Sequence, residues 1–327
     1  MEDKIVNRLF DYAKKDGVNN MSVSFFSLTK EIMRKDHYNR NSQALPSGNH
    51  TLYEIGSLTK LFTALVYGIM QFNNEISIND PVRHYFGERV NKLFDHITIK
   101  DLLAHTSGLP RLPGFMISKT EDLTNPYQSL HRDELYEYLK RPGDTRTGNK
   151  YAYSNLGYGI LGELLSFIHQ KPYVQVIKEK LLIPLHMQAT DVITNMNGRK
   201  DIAAGFNEAG DATPYWNNDI LAGAGCFLSN IDEMTSFLLA HFPGNSNIPL
   251  PGITDTRISK NMSYGWHIKN SFFSRLLGYS GYYWHNGMTG GFSAYACINK
   301  VKKNGLVILT NKPVRLDSYF YHFSSYF

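Results

Sequence analysis

Near the start of the chain, Ile5, Val6, Leu9, Phe10 and Tyr12 recur among charged residues, and this spacing predicts an amphipathic helix over residues 3–15. Met21–Leu28 and a short stretch at Glu31–Met33 read as strands separated by a turn. A loop rich in Asn, Ser, Gly and Pro follows over residues 39–50. From Ser57 to Phe72, the residues Leu58, Leu61, Phe62, Ala64, Leu65, Val66, Ile69 and Met70 cover nearly every face, which predicts a buried helix rather than a surface one. The stretch from about 75 to 200 is helix-rich: Ile97–Ala104, Ser129–Leu139, Asn155–His169 and Tyr173–Leu182 carry helical spacing between Pro- and Gly-marked loops. The long irregular loop from Pro110 to Asn125 reads as the wall of a site rather than as a connector.

A further helix is predicted at Asn230–Ala240, after which the pattern changes. Tyr264–Ile268, Gly281–His285, Phe292–Asn299 and Gly305–Thr310 read as strands, and a short aromatic helix closes the chain. Strands at both ends around a helical middle predict an α/β (α+β) fold: an antiparallel sheet assembled from both chain ends, flanked by helices, with an all-helical region inserted. The expected division is a discontinuous sheet domain, 1–57 and 205–327, and a mostly helical domain, 58–204, with the active site in the cleft between them.

Composition narrows the class. The 327 residues are 42% apolar and 19% charged, enough for a sizeable core and unlike a disordered chain. The 34 basic against 29 acidic residues give only +5, scattered in pairs such as Lys14-Lys15 and Lys302-Lys303, with none of the clustering a nucleic-acid partner requires. Cys226 and Cys297 form no metal or disulfide framework and read as buried free thiols. The start lacks the basic and apolar regions of a secretory signal, and no window approaches the roughly 18 apolar residues of a membrane span. The expectation is a cytoplasmic protein with no membrane and no nucleic-acid partner, of undetermined oligomeric state.

Three segments carry candidate chemistry. Ser57-Leu58-Thr59-Lys60 opens the buried helix. Residues three apart share a helix face, so the lysine amine can reach the serine hydroxyl. Burial and the helix dipole favour the neutral amine, which can activate a serine nucleophile. In Tyr153-Ser154-Asn155, a phenol near that lysine can shuttle a proton, and the Asn155 amide can hold a substrate carbonyl. In His285-Asn286-Gly287-Met288, a glycine within a strand marks close backbone approach. The Met288 N–H there can join the Ser57 N–H in holding an oxyanion, and His285 can donate to a substrate carboxylate or to the tyrosine. His105 reads as a residue that fixes the turn before Gly108.

In this order and spacing the three segments resemble the serine β-lactamase and penicillin-binding-protein superfamily, its class C-like branch of DD-peptidases and esterases. That family carries S-x-x-K, then Y-x-N, then a K-T-G or H-x-G strand. Tyr53-Glu54-Ile55-Gly56, Ile78-Asn79-Asp80-Pro81-Val82, Leu102-Leu103-Ala104-His105-Thr106-Ser107-Gly108-Leu109-Pro110, Ala222–Ser229 and Tyr264-Gly265-Trp266 extend the likeness to roughly residues 20–312. The resemblance implies a β-lactamase/transpeptidase-like fold, with catalytic Ser57, Lys60 and Tyr153. It also implies a substrate edge of Asn155, His285, Asn286, Gly287 and Met288, and no metal or organic cofactor. An H-N-G in place of K-T-G implies weak or no β-lactamase activity. A hydrolase that forms acyl-Ser57 and cleaves a small-molecule ester or amide is therefore expected. An acyltransferase and a non-turnover penicillin-binding sensor are the alternatives.

Overall fold

The computed structural model describes residues 2–40, 48–114, 125, 127, 131–143, 148, 150–217, 220–269 and 281–321. Most of the loop expected to wall the site, 110–128, lies outside them. The described strands are β1 (Asn20–Ser27), β2 (Ile32–Asn39), β3 (Tyr53–Glu54), β4 (Asp191–Val192), β5 (Gly205–Phe206), β6 (Ala212–Thr213), β7 (Phe227–Ser229), β8 (Arg257–Ser259), β9 (Met262–Ser263), β10 (His267–Lys269), β11 (Tyr282–Met288), β12 (Ser293–Asn299) and β13 (Asn304–Thr310). Eight of them form one antiparallel sheet in the order β2-β1-β13-β12-β11-β10-β9-β8, so strands from the two ends of the chain meet at β1 and β13. Two small sheets, β3-β7-β4 and β5-β6, lie apart from it.

The centre of the large sheet is buried on both faces, and residues alternate between two cores as the strand period requires. Met21, Val23, Phe25, Tyr295, Cys297, Leu306 and Ile308 face a smaller cluster with Ile5 and Leu9 of α1 (Glu2–Lys15) and Tyr319 and Phe320 of α11 (Leu316–Tyr321). Phe26, Ala294, Ala296, Ile298, Val307 and Leu309 face the main core. That core is built on α2 (Thr59–Phe72), which is buried from Thr59 to Met70, as its all-round apolar pattern predicts. The remaining helices are α3 (Val82–Phe86), α4 (Ile99–Leu103), α5 (Arg132–Lys140), α6 (Asn155–His169), α7 (Tyr173–Ile177), α8 (Ala222–Gly225), α9 (Ile231–Leu239) and α10 (Leu250–Asp255). Of these, α6, α7, α8 and α10 pack directly on α2.

Two expected strands differ in the structure. The stretch read as Glu31–Met33 is the start of an eight-residue edge strand, β2, in register with β1 from Ser27↔Ile32 to Asn20↔Asn39. Its sequence, Ile-Met-Arg-Lys-Asp-His-Tyr-Asn, is mostly polar because an edge strand is only half buried, so apolar alternation cannot reveal it. The stretch read as one strand at Tyr264–Ile268 is instead a hairpin, with β9 and β10 joined through Tyr264-Gly265-Trp266 and the Ser263 N–H donating to the Trp266 carbonyl at 3.0 Å. Its apolar residues serve the core rather than a ladder: Tyr264 and Trp266 are both buried.

Candidate active site

The chain leaves β3 through Ile55 and makes a 3-10 turn, Gly56–Leu58, before α2 begins at Thr59. Ser57 sits in that turn, where backbone N–H groups have no intrahelical acceptor. One turn on, Lys60 is completely buried; its Nζ lies 3.0 Å from Ser57 Oγ and donates to the Ala224 carbonyl of α8 at 2.7 Å. The amine also stands over the rings of Tyr153, at 5.0 Å, and Tyr158, at 5.6 Å. Burial, and secondly the nearby Arg111 guanidinium, holds Lys60 well below the usual lysine value. The neutral amine is therefore favoured, and it can accept the Ser57 proton.

Tyr153 enters from the other side, just before α6. Ser154 caps α6, its Oγ accepting from the Gly157 N–H at 2.9 Å and donating to the Pro110 carbonyl at 2.7 Å. His105 secures the same segment: its Nδ1 accepts from the Ser154 N–H at 3.1 Å, its carbonyl accepts from the Ala152 N–H at 2.8 Å, and its ring lies 4.5 Å from that of Tyr153. His105 thus positions the tyrosine. The Tyr153 hydroxyl hydrogen-bonds Ser57, yet burial pushes the phenol above its ordinary value, so it rests protonated. Asn155, buried at the start of α6, has its Nδ2 3.5 Å from the Tyr127 hydroxyl, while its Oδ1 has no hydrogen-bond partner among the described residues.

The third wall is the end of β11. There Thr289 N–H donates to the Phe292 carbonyl, and antiparallel alternation places the next ladder bonds at Gly287↔Ala294 and His285↔Ala296. The Met288 N–H therefore points away from β12. On that side β10 pairs only with Tyr282, Tyr283 and Trp284, so among the described residues the Asn286–Met288 stretch is a free edge. This edge lies hard against the serine turn. A Cβ on Gly287 would stand 2.0 Å from the Ile55 carbonyl oxygen and 3.0 Å from the Ser57 nitrogen. A Cβ on Gly56, whose φ is +48°, would meet the Met288 nitrogen at 2.7 Å. Only hydrogens fit between the two backbones, which brings the Ser57 and Met288 amides together as an oxyanion site needs.

His285 departs from its expected place. It is 1% exposed and lies beneath the edge, while Asn286, Gly287 and Met288 line the cleft. Burial holds it neutral, and its Nδ1–H donates to the Asn286 carbonyl at 2.6 Å. The remaining Nε2 is therefore a bare acceptor with no partner among the described residues, and it has no proton to offer a carboxylate or a phenol. Strand alternation decides this: with Asn286 and Met288 facing outward, position 285 must face inward.

The cleft above Ser57 has a volume of about 720 Å³ and is lined by Arg111, Tyr151, Tyr153, His267, Lys269, Trp284 and Asn286. A smaller cavity of about 60 Å³ adjoins it, sharing Ser57, Arg111 and Met288 and otherwise lined by Tyr127, Asn155, Trp216, Leu221, Ala224 and Gly225. Several of these residues had no expected role. Arg111 follows directly on the Gly108-Leu109-Pro110 signature and stands 5.3 Å over the Tyr153 ring, so its neighbourhood was a usable signal. Glu54, beside the nucleophile turn, was equally within reach. It is buried, accepts from the Thr289 hydroxyl at 2.6 Å and from the Trp216 N–H, and burial pushes it up to about 7. His267 and Trp216 carried no sequence signal, since only the fold brings them to the cleft. Among the described residues no group of three or more His, Cys, Asp or Glu is placed to hold a metal ion, and no helix is long and apolar enough to cross a membrane.

Known proteins share this architecture. A class C β-lactamase superposes with a TM-score of 0.80 at 22% identity, covering 97% of this chain and 92% of that one. A β-lactamase/D-alanine carboxypeptidase from Pseudomonas syringae gives 0.78 at 18%, covering 98% and 96%. The octameric penicillin-binding protein homologue from Pyrococcus abyssi gives 0.78 at 22%, covering 94% and 73%. In sequence, a β-lactamase of Providencia stuartii is 29% identical over 198 residues, 60% of this chain and 48% of the relative. Protein flp of Staphylococcus aureus (strain MRSA252) is 26% identical over 279 residues, 80% of this chain and 53% of the relative. The chain thus spans about half the length of the curated relatives it matches. With the serine turn, the buried lysine and the free strand edge in one cleft, and with the Beta-lactamase family model matching residues 12–323, the chain belongs to the Beta-lactamase family.

Proposed function

We propose that this protein is a serine hydrolase that forms an acyl-Ser57 intermediate and cleaves a small ester or amide. The observation that carries the reading is the fully buried Lys60 amine, 3.0 Å from Ser57 Oγ and held below its usual value by burial. A neutral lysine beside a serine hydroxyl is an activated nucleophile. Ser57 Oγ passes its proton to Lys60 Nζ as it bonds the substrate carbonyl carbon, and the N–H groups of Ser57 and Met288 hold the oxyanion. Tyr153, protonated at rest, donates to the leaving group as the carbonyl–leaving-group bond breaks, and Lys60 returns the proton to Tyr153. Water then releases the acyl group by the same steps in reverse. This assigns Lys60 as base and Tyr153 as proton carrier, because burial moves one toward the neutral amine and the other away from the phenolate. Asn155 and the Asn286–Met288 edge hold the substrate.

The place taken by lysine in K-T-G members of the family is held by a buried, neutral His285, which supplies no cation for a drug carboxylate. This favours esters and peptide-like amides over β-lactams. The test is intact-protein mass after exposure to p-nitrophenyl acetate and to a penicillin, with Ser57→Ala alongside. A single adduct or turnover on wild type alone supports the assignment, and ester turnover by Ser57→Ala at the wild-type rate overturns it.

A further inference from the structure

The two cavities beside Ser57 are unequal, and Tyr153 tells them apart. Tyr153 lines the cleft of about 720 Å³ and does not line the cavity of about 60 Å³. A leaving group must be within reach of the proton donor, so on the hydrolase reading proposed above it occupies the larger cleft. The acyl group then enters the smaller cavity, whose far wall is Trp216. A water-sized group needs about 10–15 Å³ of such space, so that cavity takes roughly four to six of them, the size of a short acyl tail.

Behind Trp216 lies a third cavity of about 420 Å³, with Val174, Val192, Ile193, Ala222 and Cys226 among its lining residues. Trp216 lines both cavities. The segment Ala222–Cys226 also borders both, with Ala224 and Gly225 toward Ser57 and Ala222 and Cys226 toward the space behind. The ring and the backbone of Trp216 are each held. Its ring meets Tyr127 edge-on at 4.9 Å, and its backbone N–H donates to the buried Glu54 carboxylate, three residues before the nucleophile.

We propose that Trp216 is the specificity-determining residue that limits the acyl group to a few carbons, by closing the acyl pocket off from the larger groove behind it, whose apolar floor is rimmed by Gln175, Lys178, Thr194, Asn195 and Asn217. The substrates of this site then have a short acyl part and a bulkier leaving group.

The experiment compares kcat/KM for p-nitrophenyl acetate, butyrate and octanoate in wild type, Trp216→Ala and Trp216→Phe, with Ser57→Ala as the control. Wild type should lose at least about 100-fold from acetate to octanoate, a loss that even one excess methylene in a closed pocket can approach. Trp216→Ala should raise the octanoate-to-acetate ratio at least tenfold (an order-of-magnitude expectation from the same principle), with Trp216→Phe between. A wild type that takes octanoate as readily as acetate overturns the inference, and this arm needs no variant to fold. So does a Trp216→Ala that retains acetate turnover with an unchanged ratio. If Trp216→Ala is unfolded, an unchanged ratio in Trp216→Phe overturns it. Turnover that survives Ser57→Ala overturns the hydrolase reading itself, and this inference with it; Ser57-dependent turnover with no chain-length effect overturns this inference alone.

Discussion

Enclosing an ammonium group in protein costs several kcal/mol, and Lys60 is wholly enclosed. The chain meets that cost by letting the amine go neutral and by giving it two polar neighbours, Ser57 Oγ and the Ala224 carbonyl. On the proposed mechanism, the depressed amine and the raised phenol of Tyr153 divide the proton work between them. Lys60→Ala and Tyr153→Phe should each reduce kcat/KM on the order of 10²-fold or more, measured on p-nitrophenyl acetate. Lys60→Arg separates base from hydrogen-bond donor, because arginine keeps its proton at any working pH. Its activity should be no higher than that of Lys60→Ala, and substantial turnover in Lys60→Arg would reject Lys60 as the base.

Among the elements, the end of β11 matters most. Its register with β12 fixes which amides face the serine turn, and its inward positions, His285 and Gly287, lie against the interior. Gly287→Ala would drive a methyl into the Ile55 carbonyl, so the strand edge and the serine turn must separate. Losing one oxyanion donor typically costs about 10²- to 10³-fold in kcat, and Gly287→Ala should show a loss of that size with KM much less affected. A fall in KM-dependent terms alone would mean that Met288 does not supply the second amide. The serine turn itself depends on β3, whose Tyr53 and Glu54 pair with Ser229 and Leu228 of β7. Glu54 then ties it to Thr289 and Trp216, so one carboxylate links the serine turn, the end of β11 and the Trp216 segment.

For the whole molecule, buried titratable groups set the response to pH. Burial holds His105, His241, His267 and His285 below the ordinary imidazole value, His267 at about 4 and His241 at about 3. Below about pH 6.5 the unfolded chain protonates these side chains while the folded one does not, so stability falls as pH drops through that window. Glu54 works in the opposite sense. Its folded value of about 7 lies above the unfolded 4.5, so it withdraws stability as pH rises between those values. Four histidines outweigh one carboxylate: Tm should fall from pH 7 to pH 5 by on the order of 10 °C. Glu54→Gln, which removes that opposing group, should make the fall steeper. A Tm that rises on acidification would contradict the buried, neutral state of the histidines.

Local chemistry was readable from the chain because it depends on short separations. Ser57 lies three residues before Lys60, in the turn that leads into a helix whose all-round apolar pattern announced its burial, and Asn155–His169 was delimited residue for residue by its cap and its spacing. The antiparallel sheet built from both chain ends followed from where the strand-like segments fall. Polar edge strand β2 escaped that logic, since half-buried residues leave no apolar period, and the Tyr264-Gly265-Trp266 turn imitated a strand by being apolar for the sake of the core. What the tertiary structure alone decided is which side chains from distant elements share the cleft. It turned His285 inward through strand alternation, set Arg111 over Tyr153, and placed Trp216 between two cavities. These facts depend on register and on packing between segments up to hundreds of residues apart, and no local pattern of hydrophobic and polar residues encodes them.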